Sequence, residues 1–183
     1  FPGSEHRRNY STNAIDCGIF VDSFYDFFEA HPDAAQAFEE RVSSVATGYA
    51  LKKVREARDC HNQYLWTATG LAHWLSLHED HPRAQESRDA LEKVLDFWFS
   101  QNGEDGSSPY MQSDPYLRGV TPYYFSRCIA FAWYVMEKAQ LLRSDREARL
   151  MTAARFLAKL LKRDGTKEMA LEAKRYYFWG RSE

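Results

Sequence analysis

The sequence is poor in the residues that hold small or metal-dependent chains together. Three cysteines occur in 183 residues, at positions 17, 60 and 128. They are odd in number, far apart and never in a CxxC pair, which argues against a disulfide framework and a structural zinc centre. Free, buried thiols in a reducing compartment are the expectation. No apolar run approaches the roughly 18 residues of a membrane-crossing helix, and no signal peptide is visible. The chain opens "FPGSEHRRNY" without Met, as expected of a processed chain or of part of a longer one. The net charge is only −2, so neither nucleic acid nor a membrane surface is expected as a partner. Phosphate loops, zinc signatures and serine-hydrolase elbows are missing too, and no metal or cofactor is expected.

Aromatic residues, by contrast, are abundant: five Trp, eleven Tyr and twelve Phe. With 44% apolar residues, the composition is that of a globular chain with a real core. Tyr and Trp join an apolar body to a polar handle, which suits cores and sugar-stacking clefts alike.

Helical periodicity dominates. "STNAIDCGIFVDSFYDFFEA" offers Ser11, Thr12 or Asn13 as a cap, followed by Ile15, Ile19, Phe20, Phe24 and Phe27 at helical spacing. "HPDAAQAFEERVSSVATGYALKKVREA" restarts a helix with Pro32 in its first turn, where a missing N–H costs nothing. "NQYLWTATGLAHWLSLHE", "HPRAQESRDALEKVLDFWFSQ" and "TPYYFSRCIAFAWYVMEKAQLL" supply the third to fifth helices. "SDREARLMTAARFLAKLLKRDG" is the sixth, with Ser144 as its cap and Gly165 as its stop.

Helices one, three and five are apolar almost all round, whereas two, four and six carry charge on one face. The chain is therefore expected to alternate buried inner helices with water-bordering outer ones. His31-Pro32 and His81-Pro82 stand 50 positions apart, each at a turn from an inner to an outer helix. Both histidines are read as turn residues. The fold class expected is all-α, an array of three αα-hairpins with alternating inner and outer helices. A long loop or short β-hairpin is expected at 102–120, where "NGEDGSSPYMQSDPYLRG" holds three Gly and two Pro. Trp66, Trp74, Trp98 and Trp133 are expected in the core. The four consecutive aromatics at 176–179 would be costly to expose.

In such an array the inner helices begin on one rim, which presents unpaired N–H groups and positive dipole ends. "HRRNYSTN", "DCHNQY" and "LRGVTPYYFSR" would share that rim, and all three are rich in Arg, Asn, Tyr and His. Such a rim suits an anionic or hydroxyl-rich ligand.

Two of these segments carry a resemblance. "HNQYLWTATGLAHWLSLHED" resembles the segment of alginate lyases and related (α/α)-toroid polysaccharide lyases in which an Asn-His pair precedes Tyr-Trp and an Ala-rich helix. "DGSSP" followed by "LRGVTPYYFSRCIAF" is similar to their later segment, where a DGS turn leads to Arg-Gly and a catalytic Tyr. The resemblance covers about residues 60–140. It implies half of an (α/α) toroid, completed by a second chain or by a missing N-terminal half, and β-elimination on a uronate polysaccharide. By position, it makes Asn62 the amide that neutralises the carboxylate, Arg118 its clamp, and Tyr124 or Tyr123 the acid/base. Two positions depart from the pattern. The family's His falls on Gln63, which donates a hydrogen bond but cannot act as a base, with His61 as a stand-in. Strict counting from the Arg lands on Phe125.

The chemistry is coherent on its own terms. Removing the proton beside a uronate carboxylate builds an enolate-like dianion, which Asn, Gln and Arg donors stabilise. A Tyr flanked by Arg118 and Arg127 serves as base and then as acid. Trp66, Tyr64 and Tyr110 are the candidate sugar platforms, and the ligand expected is an anionic or neutral polysaccharide. Bland roles compete with these: Asn62 and Gln63 as helix caps, Tyr123 and Tyr124 as core aromatics, Arg118 paired with Asp114. Two other readings are a glycoside hydrolase drawing on Asp16, Glu104, Asp105 or Asp114, and a non-catalytic helical scaffold that binds a protein.

Overall fold

A computed structural model describes residues 17–56, 61–109 and 120–166. Within them the chain is helical, with no extended strand among the described residues. The helices are α1 (17–30), α2 (Pro32–Ser44), α3 (Leu51–Arg55), α4 (His61–Leu77), α5 (Ala84–Ser100), α6 (Pro122–Lys138) and α7 (Ser144–Lys159). A π-helical segment, Val45–Ala50, joins α2 to α3 without a break. The result is three αα-hairpins: α1 with α2–α3, α4 with α5, and α6 with α7.

Pairs of contacts fix the directions. Tyr25 donates to Glu39 at 3.0 Å, Tyr64 packs on Phe97, and Phe125 packs on Phe156. In the last two pairs the start of one helix meets the end of the next, so those hairpins are antiparallel. Between hairpins the order is the reverse. Gly18 touches the backbone of Trp66 and Thr67, Asp22 reaches His73, Trp66 stacks on Phe131, and His73 meets Tyr134. Sequence number rises together along α1, α4 and α6, so these three run parallel and begin on the same side.

The inner layer is tight. Gly70 sits against Gly18, and a Cβ built there would lie 2.4 Å from the Gly18 carbonyl oxygen. Only glycine permits this approach of α1 to α4. Helix α4 is then enclosed: Leu65, Leu71, Trp74 and Leu75 are fully buried. Trp74 also donates its indole N–H to Ser43 at 2.9 Å, and its ring lies flat on His78 at 5.2 Å. Cys17 and Cys128 are buried and form no disulfide, and burial pushes the Cys17 thiol up to about 11; Cys60 lies outside the described residues.

Several expectations need correcting. Helix α1 is not enclosed: Phe20 and Phe27 are about half exposed, with Ile19 and, on α2, Phe38 beside them. Trp133 on α6 is 41% exposed, because it lies away from α4. Ser144 is the first helical residue instead of the cap, and Arg143 stands at the cap position without a side-chain capping bond. Helix α7 ends at Lys159, so Gly165 (φ +83°) serves a later turn. The start of the 102–120 insert forms tight turns, in keeping with the long loop expected there, and 110–119 lie outside the described residues. Asp105 accepts from the Ser107 N–H at 2.9 Å and from its hydroxyl at 2.7 Å. Gly106 (φ +88°) packs on Thr152, with no room for a Cβ. The expected turn role of His81 agrees with the structure, since its Nδ1 accepts from the Arg83 N–H at 3.1 Å.

Candidate functional site

Parallel inner helices bring the starts of α4 and α6 together. Thr121 precedes α6 and is buried, Pro122 opens it, and the first turn carries Tyr123 and Tyr124. Opposite, the first turn of α4 carries His61, Asn62 and Gln63. His61 and Asn62 are buried and Gln63 is half-buried. His61 places Nδ1 3.3 Å from the Ser108 hydroxyl, so the turn after α5 covers this end.

Two groups of side chains form here. The first lines a small cavity of about 10 Å³, between His61, Ser108, Thr121, Tyr124, Phe125 and Cys128. That is about the room one water needs, and a sugar cannot enter it. The second is a stack on the inner face. The Arg127 guanidinium lies 4.1 Å from the centre of the Tyr123 ring and 5.3 Å from that of Trp66, and it contacts the Tyr123 hydroxyl. Trp66 in turn stacks on Phe131 at 5.1 Å and 29°. A guanidinium held over aromatic faces keeps its donors for a planar anion such as a carboxylate.

Tyr124 takes part in both groups. Its ring is 5.1 Å from Tyr123 and 5.9 Å from the Arg127 guanidinium, while another part of it lines the His61 cavity. Phe125, the strict-count position, is buried against Phe156 and carries no titratable group.

Of the residues singled out from sequence, His61, Tyr123, Tyr124, Trp66 and Arg127 are thus gathered at one end of α4 and α6. Asn62 and Gln63 stand beside them. Tyr64 turns instead toward α5, between His61 and Phe97. Arg118, Tyr110, Asp16 and Asp114 lie outside the described residues. Asp105 is committed to its turn, where the Ser107 hydrogen bonds hold its carboxyl below the usual range; a general acid needs the opposite shift.

A third constellation went unnoticed in the sequence. Asp22 of α1, His73 of α4 and Tyr134 of α6 meet in a hydrogen-bonded cluster that ties the inner helices together. His73 Nδ1 is 2.7 Å from Asp22 Oδ1, and the Tyr134 hydroxyl donates to the same oxygen at 2.5 Å. Burial alone would raise the Asp22 carboxyl, but these two bonds and the charges of His73 and Lys138 outweigh it and hold the group below its ordinary value. Burial, and then the Asp22 carboxylate, push the Tyr134 phenol well above its ordinary range. The signal in the sequence is an acidic residue in the middle of a mostly apolar helix.

The larger clefts lie elsewhere. One of about 470 Å³ between α3 and α5 is bordered by Arg55, Glu86, Asp89 and Lys93. Arg55 there is already paired with Glu86. No group of metal-binding type occurs among the described residues, and no described helix is long and apolar enough to cross a membrane.

No known family description matches the chain, and no curated protein or solved structure shows significant similarity to it.

Proposed function

We propose that the chain is a carbohydrate-active protein of the (α/α)-toroid type, a lyase that cleaves a uronate-containing polysaccharide by β-elimination. The observation that carries this reading is the position of Tyr124, between the Arg127 stack on one side and the His61 cavity on the other. The sugar ring stacks on Trp66 and Phe131, and its carboxylate meets the Arg127 guanidinium. Gln63 and Asn62, at the dipole-positive start of α4, add neutral donors for the dianion that forms. Tyr124 withdraws the proton beside the carboxylate and returns one to the leaving oxygen. The small cavity lined by His61 and Tyr124 lies beside this site and takes no sugar itself.

The test is incubation with a panel of uronate polysaccharides, following the ultraviolet absorbance of the unsaturated product. Tyr124→Phe removes only the hydroxyl and should lower turnover by about 10²–10⁴-fold, with binding retained. Lack of product from every polymer would end the catalytic reading.

One observation favours a second reading, a helical scaffold that binds a protein. Helix α1 leaves Ile19, Phe20, Phe24 and Phe27 around a shallow apolar groove of about 500 Å³. A face of this kind suits a further helix packed against the first hairpin.

A further inference from the structure

The inner face continues beyond the Arg127 stack. On α6, Arg127, Phe131, Tyr134 and Lys138 follow at steps of four, three and four, which places them in one stripe. On α4, Trp66 and His73 are seven apart, and on α1, Asp22 and Asp26 are four apart, so each pair shares a face as well. Their contacts join the stripes: Arg127 on Trp66, Trp66 on Phe131, His73 and Asp22 on Tyr134, and the Lys138 ammonium 5.7 Å from the Tyr134 ring. At 1.5 Å rise per residue, Tyr134 stands about 10 Å along α6 from Arg127, a distance that a third sugar unit is needed to reach.

The Asp22 cluster has capacity to spare. Both of its internal hydrogen bonds land on Oδ1. No hydrogen bond reaches Oδ2 from the described residues, and the side chain is 27% exposed. Asp26 lies beside it, its Oδ1 4.0 Å from His73 Nδ1, and is open to water. A carboxylate with a free oxygen, fixed in place by His73 and Tyr134 and next to an aromatic platform, accepts from sugar hydroxyls. It repels a sugar carboxylate turned toward it.

We propose that Asp22, with His73 and Tyr134 as its positioning residues, is a second sugar-binding station, which takes the hydroxyls of a sugar unit whose own carboxylate points away. The reading rests on the carbohydrate role proposed above and adds to it a bound length and a polarity. An acidic unit sits at the Arg127 end, and a unit recognised by hydroxyls alone sits near Asp22.

Calorimetric titration with uronate oligosaccharides of two and four units tests this on the full chain. Wild type should bind the tetrasaccharide more tightly than the disaccharide. Asp22→Asn and Tyr134→Phe should each lower tetrasaccharide affinity by about 10-fold, the effect of one charge-assisted hydrogen bond, and leave the disaccharide unchanged. Arg127→Gln should weaken both lengths. Equal losses at both lengths, or none at either, from folded Asp22 and Tyr134 variants would overturn the second station and leave the Arg127 reading intact. So would loss of folding in both variants, which would make the cluster a structural tie. Wild type that binds neither length would overturn both proposals.

Discussion

Helices α1 and α4 look alike as sequences, yet they end in different surroundings. Both are apolar on nearly every side. Helix α4 is enclosed by α1, α3, α5 and α6, and its Leu65, Leu71, Trp74, Leu75, Thr67 and Thr69 are withdrawn from water. Helix α1 packs its Val21, Tyr25 and Phe28 and leaves Phe20 and Phe27 outside. An apolar circumference thus states how much cover a helix is built for. How much cover it receives depends on its place in the array: α4 has neighbours on both flanks, and α1 is the first hairpin's inner helix.

Substitutions should separate the two helices sharply. Trp74→Ala in α4 empties a fully buried site and strands the Ser43 hydroxyl, and should cost about 3–5 kcal/mol in chemical denaturation. Gly70→Ala forces a methyl against the Gly18 backbone, which cannot move without shifting α1. A loss of about 2–3 kcal/mol is expected, and it should appear as a lower Tm with helical content retained. Asp22→Asn, on the seam between α1 and α4, should cost about 1–2 kcal/mol near neutral pH. The folded chain holds this carboxyl below its ordinary value of 3.8. Its contribution is therefore complete above that pH and fades as pH falls through the lower folded value. The gap in Tm between wild type and variant should close as the pH is taken below 3.8 and through that lower value. Phe27→Ser on the open side of α1 should change stability by no more than about 0.5 kcal/mol. A large loss there would show that the α1 face is covered in solution, and would erase the contrast with α4.

Much of the fold was legible because helical spacing and charge on one face are local properties. The six-helix order, the hairpin pairing and the turn role of His81 all follow from stretches of under 30 residues. The parallel inner layer was legible too, since alternation along the chain leaves no other arrangement for short turns. What escaped was set by position in space. The Gly18–Gly70 crossing unites two unremarkable glycines 52 positions apart. The π-helical turn carries no composition signal. Trp133 was assigned to the core on residue type, and only the orientation of α6 against α4 puts it outside.

The candidate site divides in the same way. His61, Trp66, Tyr124 and Arg127 could be picked out, because polar and aromatic residues cluster at two helix starts. Asp22, His73 and Tyr134 could not be grouped, since they lie on three helices, 51 and 61 residues apart along the chain. An Asp and a His in the middle of mostly apolar helices were the available hint, and pairing them needed the register of α1 on α4.

The π-helical segment Val45–Ala50 gives one helix two different orientations. Its wide turn holds one more residue than the α-helical pitch, and Arg83 donates to the Thr47 carbonyl at 2.7 Å, where the regular ladder is interrupted. The wide turn absorbs that extra residue, so Leu51 and Val54 keep facing the interior. Forcing the ordinary pitch on the same residues would rotate everything after it by about 100° and swing both side chains away. Deleting one residue here would instead let the helix return to the ordinary pitch with its later residues in phase, so a deletion at this point is expected to be better tolerated than one elsewhere in the helix.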